Sequence, residues 1–345
     1  MKYTIVKVDE AHSKQFGYEP EVKISTSYPQ PEVLPQGNTG IASKHPNDAG
    51  IESGKGVIFS EDFEAYPIGH KQGEKLEKWF TPRIGSHDSI NIVDAAAYGG
   101  RGKCAQLLTE SDYIQLELRK SFERLNLETV YLRYYEYFAE NFELTPGSSH
   151  NGISFFAANP NYYNNNIWSA ISPDPAYGYN KFNVMHEYNK PDHPQKRDPG
   201  RINLYSYYPT QSTWHGDHFF PDGTIRGGKV LEGDEKKGCY YSPHHKPGTE
   251  FAPDKGAWYC YDVMVKANSI VDGVVQRDGR MAAWVNGTLM HDYPNFVFRY
   301  HDDVKINILR LLIINTPVVD RPSFKLVNNI VVADSYVGPI CTTNA

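Results

Sequence analysis

The stretch Arg201-Ile202-Asn203-Leu204-Tyr205-Ser206-Tyr207-Tyr208 alternates in chemical character, as a strand with one buried face does. Because successive side chains of a strand point to opposite faces, its odd-numbered residues share one face and its even-numbered residues the other. Ile202 and Leu204 predict that the even face packs on a core. The odd face carries the cation of Arg201, the amide of Asn203 and the phenols of Tyr205 and Tyr207. This combination suits a sheet surface that holds a sugar chain. Two tyrosines that only pack across neighbouring strands would give the same pattern, and that alternative stays open.

Two more segments carry polar and aromatic residues in the same alternation. TVYLRYYEYF (residues 129–138) places Arg133 on one face with three tyrosines. If this strand lies beside the first, the two faces form an aromatic floor with two guanidiniums. KFNVMHEY (residues 181–188) offers Lys181 and Asn183 on the face that we expect to be exposed, because Phe182 and Val184 suit the core.

The segment GSSHNG (residues 147–152) places His150 and Asn151 at the entrance of a predicted strand, from which they could reach the same groove. A histidine there also serves as an ordinary loop or capping residue, so both interpretations remain. Two long segments, residues 159–180 and 211–255, interrupt the strands. Loops of this length in a compact domain are uncommon and tend to be functional.

Outward from these segments, the chain is a series of short stretches rich in β-branched and aromatic residues and separated by turns. This series predicts an all-β fold, a sandwich or a barrel with long loops, and the sandwich would consist of two antiparallel sheets. Residues 1–55 are polar and rich in Pro and Gly, and predict an extended N-terminal arm beside one domain of residues 56–345. The predicted strands are 57–63, 89–93, 104–108, 113–122, 129–139, 152–158, 181–188, 201–208, 258–267, 280–285, 295–300, 305–314 and 328–336.

Charge and hydropathy exclude several function classes. The formal net charge of −6, without a long run of Lys or Arg, argues against nucleic-acid binding, which needs a basic surface. An acidic polymer could still bind in a local cationic groove. The apolar run at residues 306–314 is too short to span a bilayer, so no membrane partner is expected. The first residues, MKYTIVKVDEAH, have no apolar core of a signal peptide.

Four segments together resemble jelly-roll polysaccharide lyases of the alginate and glucuronan lyase type, which have concanavalin A-like sandwiches. LYSYYPTQSTWHGD (residues 204–217) resembles their Tyr-x-Tyr strand, and SSHNGISF (148–155) their His-Asn-Gly strand entrance. The hairpin at residues 258–287 and the closing strand NNIVVADSYVGPI (328–340) are similar to theirs in order and spacing. The resemblance implies lyase activity on an acidic polysaccharide, no required cofactor, and a secreted or periplasmic location. It leaves the oligomeric state unknown.

The resemblance implies that Tyr205 and Tyr207 are catalytic. The chain departs from the family pattern, because it has no Lys-Leu-Pro-Gly segment, and His150 stands near that place. The Ser-x-Arg strand of the family is not clearly present, and Lys181 and Asn183 are the candidates for its role.

Removal of the proton on C5 of a uronate requires neutralisation of the carboxylate, a base and an acid. We predict that Tyr207, with its pKa lowered by Arg201 or Lys181, transfers protons with Tyr205, and that His150 acts as base or neutraliser. The residues expected to bind substrate are Arg133, Asn151, Asn183, Arg201, Asn203, Gln211, Trp214 and His215.

Other classes remain as alternatives. A non-catalytic carbohydrate-binding protein would keep the sandwich without the chemistry. A glycoside hydrolase would need a pair of carboxyl groups, and the sequence offers no strand with alternating acids. The sequence predicts no metal at the active site. By analogy with jelly rolls, a structural calcium ion could bind at Glu61, Asp62 and Glu64, and the alternative is that these acids are edge charges.

Overall fold

A computed structural model describes residues 2–8, 10–70, 76–80, 90–94, 102–109, 115–144, 148–190, 197–211, 215–227, 240–316 and 322–342. One short α-helix, α1 (Glu10–Gln15), and four 3-10 turns, Ile41–Lys44, Pro46–Asp48, Ile51–Ser53 and Ile167–Ile171, accompany the strands in these ranges. None of the described helices has the length and apolar content needed to cross a membrane. The strands are β1 (Tyr3–Lys7), β2 (Glu21–Ser25), β3 (Val57–Glu61), β4 (Ile90–Val93), β5 (Cys104–Thr109), β6 (Gln115–Ser121), β7 (Thr129–Phe138), β8 (Ser148–His150), β9 (Ile153–Ala158), β10 (Lys181–Asn189), β11 (Arg201–Tyr207), β12 (Asp217–Phe219), β13 (Ile225–Arg226), β14 (Trp258–Lys266), β15 (Ile270–Val271), β16 (Val274–Val275), β17 (Gly279–Val285), β18 (Thr288–Phe296), β19 (Lys305–Thr316) and β20 (Ser323–Ala333).

Two antiparallel sheets pack face to face, which confirms the predicted sandwich. The first sheet has the order β13-β12-β11-β10-β9-β19-β6, with β8 paired to β19. The second has the order β18-β17-β14-β7-β20-β5-β4, with β3 paired to β20. A small third sheet, β1-β2-β16-β15, joins the N-terminal residues to the body of the protein through the parallel pair β2 and β16.

The alternation predicted for β11 is confirmed. Ile202 and Leu204 point into the main core between the two sheets. Tyr205 and Tyr207 lie on the opposite, outer face of the first sheet, in a separate apolar cluster with Met185. The outer face of this sheet is therefore the surface on which the predicted site is built.

Strand β7 does not lie beside β11. It belongs to the second sheet, between β14 and β20, so the predicted aromatic floor shared by β7 and β11 is wrong. Alternation assigns a side chain to a face but does not say to which sheet that face belongs. Strand β7 meets only the inner face of the first sheet: Tyr134 points into the core, where its hydroxyl lies 2.7 Å from Nδ1 of His186, and the Phe138 ring packs on Tyr188.

Residues 1–55 contain more regular structure than an extended arm. Beyond β1, α1 and β2, the chain runs over the outer face of the second sheet, where the indole nitrogen of Trp284 donates to the carbonyl of Pro35 at 2.8 Å. Gly40 passes so close that a Cβ atom would lie 2.3 Å from the carbonyl oxygen of Val337, so only glycine fits there. Residues 34–54 therefore lie on the second sheet, whereas Phe16 and Tyr18 pack against Tyr162 and Tyr179 of the loop between β9 and β10.

Candidate active site

One rung of side chains crosses the outer face of the first sheet. The register of neighbouring strands aligns these residues from one side of the sheet to the other, and their side chains share one face because aligned positions point the same way. This row of aligned side chains, the rung, has an imidazole and a phenol at one end and two guanidinium groups at the other. In order, its members are His218, Tyr205, Met185, Ser154, Arg310 and Arg119.

The two tyrosines contact each other. The Tyr205 hydroxyl donates to the Tyr207 hydroxyl at 3.3 Å and accepts from the backbone N–H of Gly216 at 3.1 Å. The rings meet edge to face, with centroids 5.5 Å apart. Burial raises the pKa of both phenols above the ordinary value. Both are therefore protonated at neutral pH, and the expectation that a cation lowers the pKa of Tyr207 is wrong.

The Glu187 carboxylate lies between two histidines. Nδ1 of His150 is 2.8 Å from one oxygen, and Nδ1 of His218 is 3.4 Å from the other. His218 also meets the amide oxygen of Asn203 at 3.0 Å, and burial lowers the pKa of His218 to about 3. The Tyr205 ring lies between the two imidazoles, at centroid distances of 5.1 Å from His150 and 4.6 Å from His218.

The position of His150 depends on Gly152, which has no side chain and lets the backbone pass close to β10. A Cβ atom at residue 152 would lie 1.8 Å from the backbone oxygen of His186, so the chain between β8 and β9 passes β10 more closely than any other residue would allow. This close approach brings His150, at the end of β8, to the side of Glu187 on β10. The His-Asn-Gly entrance noted in the sequence therefore has a steric reason.

Two arginines of the cleft were not predicted. Arg310 on β19 and Arg119 on β6 both line it, and both form ion pairs with the fully buried Glu117 between them. Two cations share one anion, so this end of the cleft carries a net positive charge. The available signal was Arg310 itself, the one charged residue in the apolar run 306–314. Its alternation with Leu309 and Leu311 puts it on the outer face.

Lys181 and Asn183 lie on the predicted outer face, but in supporting positions. The buried Lys181 ammonium donates to the carbonyls of Ala170 and Ser172, at 3.0 and 2.5 Å, and lies 5.5 Å from the Tyr207 ring centroid. Burial lowers the pKa of Lys181 to about 8. Asn183 lines the cleft and accepts the Tyr207 backbone N–H at 2.7 Å. Lys181 thus fixes the loop between β9 and β10, and Asn183 fixes Tyr207.

Two arginines predicted to contact substrate are directed elsewhere. Arg133 lies on the outer face of the second sheet, buried beneath the N-terminal arm in an ion pair with Asp48. Arg201 pairs with Asp222 and Glu250, at 2.8 and 2.9 Å, and does not line the cleft. The reason in both cases is that a nearby carboxylate from another part of the chain neutralises the guanidinium.

The amide of Asn151 is completely buried and donates to the backbone oxygen of Tyr188 at 3.3 Å, so it is not a cleft residue. The amide oxygen of Asn203 lies 3.0 Å from Nδ1 of His218 and so helps to hold that ring in place. Gln211 accepts the backbone N–H of Tyr208 at 3.1 Å. His215 is exposed just beyond β11 and does not line the cleft, and Trp214 lies outside the described residues.

The predicted calcium ligands already accept hydrogen bonds. Glu61 accepts from the indole of Trp79 at 3.2 Å and from the backbone of Phe63 at 2.9 Å. Asp62 and Glu64 accept backbone N–H groups. In the described part of the chain, no group of three His, Cys, Asp or Glu side chains is arranged to hold a metal ion. The calcium site stays a prediction.

The loop of residues 159–180 forms the wall of the cleft. Trp168, Ile171 and Ser172 of this loop line the same cavity of about 440 Å³ as His150, Tyr205, Tyr207, Arg119 and Arg310. This long segment therefore lies beside the candidate site and shapes the cleft. The cavity is within the usual volume of small-ligand sites.

Comparison with known proteins gives similar folds at low identity. No family model matches the chain, and no curated protein matches it in sequence. Among solved structures, alginate lyase Aly36B bound to an alginate tetrasaccharide is 14% identical, with coverage of 81% of this chain and 98% of that chain and a TM-score of 0.49. Alginate lyase vAL-1 from a Chlorella virus is 11% identical, with 78% and 100% coverage and a TM-score of 0.49.

The endo-β-1,4-glucuronan lyase from the fungus Trichoderma reesei is 14% identical, with 81% and 96% coverage and a TM-score of 0.45. Jelly-roll polysaccharide lyases, which the sequence motifs resemble, are thus among the solved structures to which the chain is similar.

Proposed function

We propose that this protein is a polysaccharide lyase that cleaves a uronic-acid polymer by β-elimination. One observation carries the proposal: His150, Tyr207 and Arg310 line a single cavity, so a base, a proton donor and a cation meet around one space. These are the three groups that removal of a proton next to a carboxylate requires.

His150 is the base in this proposal. Its Nδ1 is 2.8 Å from the Glu187 carboxylate, an acceptor, so the ring proton stays on Nδ1. The Nε2 lone pair is then the one that takes the C5 proton. Glu187 does not contact substrate; it holds the tautomer and ring orientation, as the carboxylate does in other His-carboxylate pairs.

Tyr207 is the acid. Its oxygen accepts from Tyr205, so its own hydroxyl hydrogen is available for a substrate oxygen. The raised pKa keeps that proton in place until the leaving oxygen takes it. When the proton has left, the Tyr205 hydroxyl, which donates to the Tyr207 oxygen, stabilises the phenolate.

The atoms balance without any co-reactant. The C5–H bond breaks and its proton goes to His150, while the electron pair forms the C4–C5 double bond. The C4–O4 bond breaks, and O4 takes the Tyr207 proton. The negative charge that builds on the uronate carboxylate during C5 deprotonation is neutralised by the guanidinium of Arg310, which shares Glu117 with Arg119.

A glycoside hydrolase is less well supported by the same site. Among the described residues, Glu187 and Glu117 lie beside the cleft and each is engaged by two cationic or imidazole side chains, while Asp174 accepts the hydroxyl of Ser172 in the cleft wall. Neither glutamate is arranged as a free acid or as a nucleophile. A non-catalytic binding protein would keep the cationic end of the cleft, and the experiment below separates it from a lyase.

The test is ultraviolet absorbance during incubation with alginate, glucuronan, pectate and hyaluronan, since β-elimination creates a conjugated unsaturated uronate. We expect absorbance to rise with at least one polymer, and to stay flat with the His150→Gln variant. Methyl-esterified pectin, which lacks the carboxylate charge, is the matched control for pectate. Binding without any rise in absorbance would reject the lyase and leave the carbohydrate-binding protein. New reducing ends without absorbance would indicate a hydrolase.

A further inference from the structure

We infer that the cleft is closed at its β6 end and that the protein engages polymer chains at a terminus and releases short products of narrow size range. This inference rests on the proposed polyuronate substrate and concerns where on the polymer the protein acts. It is carried by three aromatic and cationic side chains at the edge of the first sheet, Phe80, Trp168 and Arg119.

These three side chains stack in one group at the end of the rung. The rings of Phe80 and Trp168 are nearly parallel, with centroids 5.2 Å apart. The Arg119 guanidinium carbon lies 5.8 Å from the Trp168 ring centroid. Because Trp168 stacks on a ring and is also contacted by a guanidinium, it stands as a wall rather than as a free platform for a sugar.

Among the described residues, the wall formed by Phe80, Trp168 and Arg119 lies beside β6, the last strand at this end of the first sheet. Phe80 exchanges two backbone hydrogen bonds with Arg119, of 2.7 and 2.9 Å, and so extends the sheet past β6. A sugar chain that follows the rung from Tyr205 toward Arg119 crosses β10, β9, β19 and β6. Four strand spacings of ~4.8 Å make this path roughly 19 Å, long enough for a few sugar units before the wall.

The loop that carries Trp168 is firmly attached. Ile167 and Ala170 are buried on Phe156 and Ile308 of the sheet. Lys181 reaches up from β10 to the carbonyls of residues 170 and 172. Apolar burial on one side and a buried ammonium on the other oppose displacement of the loop by a passing polymer.

A cleft that is closed at one end binds polymer chains differently from a groove that is open at both ends. In an open groove, a polymer binds at any internal position, so a longer chain binds more protein molecules. In a closed one, only a terminus enters, so the number bound per chain is independent of chain length. The distance between the wall and the tyrosines then fixes how many units lie on one side of the broken bond.

The first arm of the test measures binding without catalysis. The Tyr207→Phe variant is titrated with alginate and glucuronan chains fractionated by size. We expect the number of protein molecules bound per chain to stay constant when chain length doubles. With Trp168→Ala added, it should rise with length, whereas Trp258→Ala, which alters an aromatic pair on the second sheet, should leave it constant. Occupancy proportional to length in the variant with Trp168 intact would overturn the inference, as would a lack of binding to either polymer.

The second arm measures products. With the tyrosine intact, short unsaturated products should appear from the start, and viscosity should fall only in step with absorbance. Phe80→Ala, at a side chain that is half exposed, should broaden the product sizes without unfolding the protein. A ladder of long products from the unmodified protein would overturn the inference and leave the lyase intact. Flat absorbance with constant occupancy per chain would reject the lyase and support the closed cleft.

Discussion

Nδ1 of His150 lies 2.8 Å from Oε2 of Glu187, and the carboxylate that it contacts is almost completely buried. The second oxygen of the same carboxylate faces His218 at 3.4 Å. Because an ionised carboxylate only accepts hydrogen bonds, it holds the His150 proton on Nδ1, and the Asn203 amide oxygen 3.0 Å away does the same for His218. The Tyr205 ring lies between the two imidazoles, so the carboxylate on β10 also determines the space available to the tyrosine on β11.

Glu187→Gln tests this positioning. The amide can donate where the carboxylate only accepted, so the His150 ring loses its fixed tautomer and orientation. We expect kcat to fall at least tenfold, equivalent to about 1.4 kcal/mol of the barrier, with KM near its original value because Glu187 does not contact substrate. Initial rates of absorbance across substrate concentrations measure both constants. Glu250→Gln alters one of the two carboxylates that pair with Arg201, outside the cleft, and should leave the rate intact. A change confined to KM would contradict the assignment.

Tyr207→Phe tests the acid. It removes the proton that the leaving oxygen needs, and loss of a general acid costs about 10²- to 10⁴-fold in rate. Tyr205→Phe removes the hydrogen bond to the Tyr207 oxygen and the acceptor of the Gly216 N–H but leaves the Tyr207 proton in place, so the loss should be smaller, on the order of tenfold. Tyr137→Phe on the second sheet is the matched control. If the Tyr205 variant is the slower of the two, the roles of the tyrosines must be exchanged.

Local alternation predicted one side of the site well. The outer face of β11 follows from its own eight residues, since Ile202 and Leu204 need a core and Tyr205 must then face away. The strand entrance GSSHNG (residues 147–152) placed His150 in the same region. These inferences need only neighbouring residues and the period of a strand.

The other side of the site depends on pairing between distant segments. Arg119 and Arg310 are 191 positions apart in sequence and are aligned across β6 and β19 by the sheet register. Arg133 and Arg201 look equally suitable in sequence, yet each meets a carboxylate from a remote segment, Asp48 in one case and Asp222 in the other. Which arginine is neutralised is a property of the tertiary structure, so alternation could not separate them.

Arg310→Met tests the shared carboxylate. It leaves Glu117 buried with Arg119 as its one remaining cation, so the loss should be about 1–3 kcal/mol, below the cost of a buried charge left without any partner. Urea denaturation should show a loss of unfolding free energy of that order, and the double variant Glu117→Gln/Arg310→Met should recover part of it. Arg197→Met breaks an exposed pair with Asp254 and should cost below about 1 kcal/mol. Equal losses in the single and double variants would show that packing, not charge, explains the effect.

The buried histidine His186, between the two sheets, should make the stability of the protein depend on pH. His186 is completely buried between the sheets, with Nδ1 2.7 Å from the Tyr134 hydroxyl and with Lys325 and His291 nearby. Burial, and secondarily Lys325, lower the pKa of His186 to about 3, against ~6.5 in the unfolded chain. Between those values the unfolded chain binds a proton that the folded protein does not. The free energy of unfolding therefore falls as pH drops through this window, by about 1.4 kcal/mol per pH unit for this one group.

The change that isolates this effect is His186→Gln, which cannot titrate. Unfolding free energies from urea denaturation at pH 7, 6 and 5 should fall less steeply for the variant than for the unmodified protein, and the difference between the two slopes should grow below pH 6.5. His301→Gln, at a side chain that is nearly half exposed, should keep the original slope because no buried neutral ring is lost. Parallel slopes for the unmodified protein and His186→Gln would mean that the buried ring takes up its proton as readily as an exposed one, and that the space between the sheets is more polar than its lining by Tyr134 and Tyr261 indicates.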